Sequence, residues 1–187
     1  MPERYEIRLS GSGGQGLVTA GIILAEAVGV YEGKFVCQSQ SYGPEARGGT
    51  SKSEVIVSDE EIDYPKAIKP DVLLAMNQSA CDTYLFDRKV GGKLIVDTTL
   101  VRQLPTSSIG IPFTRIARTE TGNETVANMV ALGALVVLTK IVSPKNLEAA
   151  VLARVPQGTE EVNRNALAAG FNAARRWTKQ DASHIAP

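Results

Sequence analysis

Histidine and cysteine are almost missing from this 187-residue chain. His184 is the only histidine and lies close to the C-terminus. A Ser-His-Asp triad or a histidine-bound metal would have to be built on a terminal tail, and both are set aside. Cys37 and Cys81 are the only cysteines and form no Cys-x-x-Cys pair. That excludes a disulfide scaffold, a zinc site and a resident iron–sulfur cluster, and the two thiols read as small buried hydrophobes. A surplus of charge is missing too, since 20 Lys+Arg balance 20 Asp+Glu. Nucleic-acid binding requires a basic excess, so no such partner is expected. Met1-Pro2-Glu3-Arg4 lacks the basic start and apolar stretch of a signal peptide, and no apolar run reaches the roughly 20 residues that span a bilayer. The expectation is a cytoplasmic protein without a membrane partner.

What is present is an ordinary globular composition, 43% hydrophobic and 21% charged, at about the length of one domain. Tyr5, Ile7 and Leu9 alternate with Glu6 and Arg8, a period-2 pattern that predicts a strand. It leads into Gly11-Ser12-Gly13-Gly14-Gln15-Gly16 and then into an alanine- and isoleucine-rich helix over 17–28, closed by Gly29. Phe35-Val36-Cys37 predicts a second strand, followed by a polar loop over 38–49. A third strand is expected over 53–58, with a short returning segment around Ile62-Asp63-Tyr64. The near-continuous apolar runs 71–76 and 93–97 have the character of parallel strands buried on both faces, with a helix over 78–89 between them. Residues 109–117 predict a weaker strand, interrupted by Pro112 and therefore placed near a sheet edge. Alternating strands and helices mean an α/β domain with a mainly parallel sheet flanked by helices.

The last third of the chain is expected to be helical. Thr121 and Glu124 have the spacing of a capping box. Ser143-Pro144 starts a helix that Val155-Pro156 ends, and a final helix over 159–179 sets Val162, Ala166, Phe171, Ala174 and Trp177 on roughly one face. The helix over 126–138 carries Asn128 as its only strongly polar side chain. A helix apolar all round must be buried on all sides, and in so small a domain part of that burial is expected to come from a partner chain.

Gly11, Gly13 and Gly16 satisfy G-x-G-x-x-G between a strand and a helix. Glycines there permit a tight turn, and the helix N-terminus offers free N–H groups to a phosphate. The alternative is a turn needed only for strand–helix packing. Dinucleotide binding in its usual mode also needs an acid at the end of the second strand. Residues 35–40 contain none, and Glu32 precedes the strand, which disfavours NAD. The loop Gln40-Ser41-Tyr42-Gly43-Pro44-Glu45-Ala46-Arg47-Gly48-Gly49 follows the second strand, where open α/β sheets bind ligands. Arg47 there can clamp a phosphate or carboxylate, or simply pair with Glu45 on the surface. Asn77 and Asp97, at the ends of the two apolar strands, suit either the crevice or helix capping.

Ser10-Gly11-Ser12-Gly13-Gly14-Gln15-Gly16, the loop from Gln40 to Gly49, Asp63-Tyr64-Pro65 and Asn128-Met129-Val130-Ala131-Leu132-Gly133-Ala134 together resemble the gamma subunit of 2-oxoacid:ferredoxin oxidoreductases. The form Gly43-Pro44-Glu45-Ala46-Arg47-Gly48-Gly49 is most similar to the 2-oxoglutarate branch. The resemblance implies a Rossmann-like α/β fold in a single gamma-type domain over 1–187. It implies a complex that converts a 2-oxoacid and coenzyme A to an acyl-CoA, carbon dioxide and reduced ferredoxin. Partners would be alpha and beta subunits, in some complexes a delta subunit, and ferredoxin through the complex. Thiamine diphosphate and iron–sulfur clusters would sit on those partners. This chain would bind no cofactor by itself, would be inactive when isolated, and would help hold coenzyme A through Gly11, Gly13, Gly14, Gln15, Gly16, Ser41, Tyr42, Gly43, Glu45, Arg47 and Gly48. The alternatives are a purely structural subunit with an empty glycine loop, or an NAD(P)-dependent reductase.

Overall fold

Ile7 and Leu9 alternate with Glu6, Arg8 and Ser10 along the first strand, and this alternation gives the two faces of the sheet different chemistry. The computed structural model describes residues 4–42 and 50–185. In it β1 (Arg4–Ser12) is central, flanked by β3 (Thr50–Ser58) antiparallel and β4 (Val72–Ala75) parallel. β2 (Phe35–Ser41) pairs antiparallel with β3, while β5 (Lys93–Asp97) and β6 (Ser108–Ile111) continue the parallel side. The order is β2-β3-β1-β4-β5-β6, and β3 alone runs against the others. Only residues 42–49 separate β2 from β3, too few for the crossover that a parallel neighbour requires. The strand expected over 35–37 runs on to Ser41, because Gln38 is anchored by a 2.9 Å hydrogen bond from its Nε2 to Ser53 Oγ on β3.

One face is apolar. Ile7, Leu9, Val55, Val57, Val72, Leu74 and Ile95 meet α1 (Leu17–Glu26), α3 (Phe113–Thr121), α4 (Ala127–Thr139), α5 (Pro144–Arg154) and α6 (Glu160–Ile185). On the other face Leu73, Ala75, Leu94 and Val96 are covered by Ala80 and Cys81 of α2 (Gln78–Tyr84) and by Val101. Beyond α2 that second face is charged. Arg8, only 4% exposed, reaches Glu54 at 2.8 Å and also pairs with Asp87, and its guanidinium lies 4.9 Å from the centre of the Tyr84 ring. Lys52 approaches Glu54 at 3.1 Å. Burial pushes the Glu54 carboxyl up, but the hydrogen bond from Lys52 and the charges of Arg8 and Lys52 outweigh it and hold the group below its ordinary 4.5.

Several local expectations are corrected by longer-range contacts. α1 stops at Glu26 and the chain continues as a π turn, Ala27–Tyr31. The helix expected over 78–89 ends at Tyr84 and is followed by a 3-10 turn, Leu85–Asp87. The segment around Ile62-Asp63-Tyr64 is not a strand. Pro112 ends β6, which is the expected edge strand, and α3 starts directly at Phe113. Its orphan N–H groups are capped from a distance: Asp97 Oδ2 accepts from Thr114 N–H at 3.1 Å and Thr99 Oγ1 from Arg115 N–H at 3.2 Å. Thr121 makes no capping box. It belongs to α3, and Asn123 caps the short 3-10 turn Glu124–Val126 by accepting from Thr125 N–H at 2.9 Å.

The largest correction concerns α4. Every residue from Ala127 to Val136 is buried within this chain, among α1, α3, α5 and α6. No partner is needed to cover it. α6 comes close enough that a Cβ added at Gly170 would stand 2.1 Å from the Val130 carbonyl oxygen, a backbone-to-backbone contact that only glycine permits.

Arg8→Ala would remove one of the two cations that pair with the buried Glu54, leaving Lys52, and is expected to cost about 1–3 kcal/mol in urea unfolding. Because the folded Glu54 value lies below its unfolded one, its contribution is present above pH 4.5 and is lost as pH falls through the folded value. Acid unfolding should therefore be less steep in Glu54→Gln than in the native protein.

Candidate functional site

β1 ends at Ser12 and α1 begins at Leu17, so residues 13–16 make the whole turn at the carboxyl end of a central strand. Gly16 is the N-cap, left-handed at φ 70°, and no side chain caps the helix. The first-turn N–H groups that an α-helix leaves unpaired therefore have no side-chain acceptor among the described residues. Gly13 and Gly14 are exposed, and among the described residues a Cβ on either would meet nothing within 4 Å. The loop is open to that extent. Partial positive charge at a helix N-terminus, backbone donors and no side chains in the way are the properties of an anion cradle.

Three amide side chains hold the loop in this shape. Gln15 folds back, its Oε1 accepting from Ser12 N–H at 2.7 Å and its Nε2 donating to the Met76 carbonyl at 3.3 Å. It acts as a brace across the turn. Asn77 caps α2 by accepting from Ala80 N–H at 2.8 Å, and its Nδ2 donates to Ser12 Oγ. Asn128 donates from Nδ2 to the Gly16 carbonyl at 3.1 Å while its Oδ1 accepts from Met129 N–H at 2.9 Å. A Cβ at Gly16 would stand 2.4 Å from Asn128 Nδ2, so position 16 requires glycine for its φ and for this contact. Asn77 is thus spent on capping α2 and on Ser12, and Asp97 on capping α3. The role of Asn128 was missed, although a lone amide in an otherwise apolar helix was its signal.

Beside the loop lies a cleft of about 230 Å³ lined by Gly14, Gln15, Met76, Leu100, Thr114, Glu124, Thr125 and Ala127. Its carboxylate, Glu124, is paired with Arg118. Gly11 is buried behind the turn, where an added Cβ would strike Gln15 Oε1 at 2.3 Å, so it shapes the loop from within. Ser41 ends β2 and Tyr42, 66% exposed, follows it. Opposite β3, Ser12 pairs with Thr50 and Ser41 with Lys52. Both loops accordingly leave the same end of the sheet, on either side of β3. Gly43, Glu45, Arg47 and Gly48 lie outside the described residues.

Glu32 cannot serve as a ribose acid for this site. It accepts from Ser143 N–H at 2.8 Å and Asn146 Nδ2 at 3.0 Å at the start of α5, beyond the opposite end of β2. The Ser143 backbone bond, partly opposed by burial and helped by Asn146, holds its carboxyl below the ordinary value. That leaves the dinucleotide reading without its usual acid.

The family model for pyruvate ferredoxin/flavodoxin oxidoreductase matches residues 6–173. The chain belongs to this family. It is 52% identical over 177 residues to the 2-oxoglutarate synthase subunit KorC of Methanocaldococcus jannaschii, covering 92% of this chain and 95% of that one. The solved gamma subunit of a keto/oxoacid ferredoxin oxidoreductase from Geobacter sulfurreducens superposes with a TM-score of 0.85 at 51% identity, over 92% of this chain and 97% of that chain. The fold recurs inside a longer chain, the 2-oxoglutarate:ferredoxin oxidoreductase of Magnetococcus marinus, with a TM-score of 0.81 at 24% identity over 94% of this chain and 32% of that one. The expected membership among the gamma-type subunits of 2-oxoacid:ferredoxin oxidoreductases holds.

Asn128→Ala removes the bond to Gly16 without touching the open side of the loop. Unfolding should be easier by about 1–3 kcal/mol, and amide exchange at residues 13–17 should accelerate relative to that in β4 and β5. Unchanged exchange at the loop would show that Gln15 and Asn77 suffice to hold it.

Proposed function

We propose that this chain is the gamma subunit of a 2-oxoglutarate:ferredoxin oxidoreductase and that its glycine loop holds a phosphate of coenzyme A. The complex would convert 2-oxoglutarate, coenzyme A and oxidised ferredoxin to succinyl-CoA, carbon dioxide and reduced ferredoxin. The observation that carries the ligand reading is the uncapped start of α1 at the carboxyl end of β1, braced from behind and open along Gly13 and Gly14. Among the reactants, coenzyme A is the one that brings phosphate groups. The Magnetococcus marinus enzyme that shares this fold was solved with 2-oxoglutarate, coenzyme A and succinyl-CoA bound, and the KorC relatives are named for 2-oxoglutarate synthase.

On this reading the chain contributes binding and no catalytic group. Backbone N–H groups of Gly13, Gly14, Gly16 and Leu17 receive the phosphate, while that of Gln15 is spent on the Ser12 carbonyl at 3.2 Å; Ser41 and Tyr42 border it from β2, and the Arg47 guanidinium adds positive charge. Thiamine diphosphate and iron–sulfur clusters belong to the alpha and beta subunits, with a delta subunit in some complexes. Two unpaired cysteines and the lack of a thiamine fingerprint in the sequence support that division. Ferredoxin is met through the assembled complex, in the cytoplasm. No helix among the described residues is long and apolar enough to cross a membrane.

Two substitutions test the site in the assembled complex. Gly13→Asp places a carboxylate where an added Cβ meets nothing within 4 Å among the described residues, so it should fold normally and repel the phosphate. Arg47→Ala removes the added charge. Each loses charge-assisted contact worth roughly 1.5–3 kcal/mol, so the apparent KM for coenzyme A should rise about ten- to a hundredfold. Thiamine-dependent decarboxylation before coenzyme A enters should stay as it was. Equal coenzyme A dependence in native and variant complexes would mean a structural subunit with an empty loop.

A further inference from the structure

β6 is the last strand on the parallel side of the sheet, so one of its edges has no neighbouring strand among the described residues. Thr98 N–H donates to the Ile111 carbonyl at 3.1 Å, and Asp97 stands opposite Ile111. Ile109 and Ile111 therefore turn their N–H and C=O groups towards β5, and by alternation Ser108 and Gly110 turn theirs outward. Ser108 N–H is taken by the Pro105 carbonyl at 3.0 Å. Gly110 N–H and C=O have no hydrogen-bond partner among the described residues. A Cβ added at Gly110 would stand 2.7 Å from Thr98 Cγ2. That accounts for the glycine and leaves its two backbone groups unused.

Gly110 lines a cleft of about 340 Å³ at this edge, inside the roughly 300–1,000 Å³ range of binding clefts. α3 contributes Arg115, Ile116 and Glu120 to it, and α6 contributes Arg176 and Trp177. Neither guanidinium has an ion-pair partner among the described residues, and Glu120 has none either. Two cations and one carboxylate leave the cleft with an excess of one positive charge. A free N–H and C=O on one residue are what an antiparallel neighbour exchanges with it, and an unpaired edge is a template for an added strand. A lone anion, such as a carboxylate or phosphate, has no donor for the Gly110 carbonyl. A second copy of this chain would bring its own α3 and α6 against the helices that already wall the cleft. A single extended segment meets neither obstacle. We infer that the cleft takes an extended acidic segment of another chain, added along β6 through Gly110 and holding a carboxylate at Arg115 and Arg176. Main-chain bonds give such a contact its affinity, and the arginines give it specificity. Ile109 and Ile111 belong to the helix-covered core, so the residues flanking the one paired with Gly110 point to that same face. The carboxylate therefore belongs on a flanking residue. Nothing in this site depends on what the glycine loop binds.

The test is titration of the intact chain, followed through its amide resonances, with a capped pentapeptide of threonine, glutamate, valine, glutamate and threonine. Comparison probes are the same peptide with both glutamates replaced by glutamine, the same peptide N-methylated at the central valine, and glutarate. The acidic peptide should saturate the chain below about 1 mM and shift the Gly110 amide. N-methylation, which removes the donor to the Gly110 carbonyl, should weaken binding about tenfold, and so should loss of the two glutamates. Arg115→Gln with Arg176→Gln should weaken the acidic peptide about tenfold and leave the glutamine peptide unaffected. Both arginines are exposed, so the melting temperature should not move. Arg102→Gln, an exposed control on the loop after β5, should bind as the native chain does. No saturable binding of the acidic peptide overturns the site. Equal binding of the N-methylated peptide, or glutarate binding as tightly as the peptide, overturns strand addition. Gel filtration in which the arginine pair abolishes self-association while peptide affinity stays native overturns it in favour of a second copy.

Discussion

Asn128 donates its side-chain amide to the Gly16 carbonyl at 3.1 Å from inside a helix whose other buried residues are apolar or glycine. That one bond links the centre of the core to the glycine turn at the carboxyl end of β1. An unpaired amide at that depth would be unfavourable by about 1–3 kcal/mol, so the packing of α4 against α1 and the shape of the glycine turn are settled together. The turn is left-handed at Gly16 because the amide fills the space a side chain would take. Gln15 and Asn77 then fix the neighbouring residues to Met76 and Ser12, at the end of β4 and of β1. The loop is therefore part of the sheet's own hydrogen-bonding scheme.

The two faces of the sheet carry different tasks. The apolar face gathers nearly all the helices and supplies burial. The charged face holds a chain of side chains, Lys52, Glu54, Arg8 and Asp87, with Glu6 and Arg4 alongside. Replacing such a network with hydrophobes of equal volume is often neutral or stabilising, so stability alone does not account for it. What it does here is hold loops that have no regular structure. Glu6 and Glu54 each pair with a guanidinium or ammonium on one side and accept from backbone N–H of residues 67–69 on the other, so the conformation of that loop is set by groups belonging to β1 and β3.

Features encoded within a few residues were legible in the sequence. The alternation in β1, the apolar runs of β4 and β5, the glycine turn and the Ser143-Pro144 start of α5 depend only on neighbours. Those that depend on distant partners were not. Phe113 starts a helix because Asp97 and Thr99 cap it from across a loop, and no local pattern announces that. Gln15 sits in a glycine-rich loop and invites reading as a ligand-facing residue, yet its amide is spent on Ser12 and Met76. α4 was rightly read as wholly buried, but its sequence cannot tell whether the helices around it belong to the same chain. α6 supplied the missing cover, and Gly133 and Gly170, the signal for that contact, look like ordinary helix-weakening glycines until the partner backbone is in view.

A site made of backbone N–H groups recognises charge and geometry and is indifferent to the rest of the ligand. On the proposed function this divides the labour in the complex. The phosphate of coenzyme A is common to the reactions of every 2-oxoacid branch, so a fixed turn can serve all of them with no side chain tuned to substrate. Discrimination between 2-oxoacids needs groups that touch the acyl chain, and an anion cradle has none to offer. The 2-oxoglutarate preference suggested by the KorC relatives would then have to be enforced by the subunits that hold thiamine diphosphate, and this chain would be matched to its branch through the surfaces by which it joins them. Sequence divergence between branches should then fall on docking faces more than on the glycine turn, whose shape is tied through Asn128 to a core that tolerates little change.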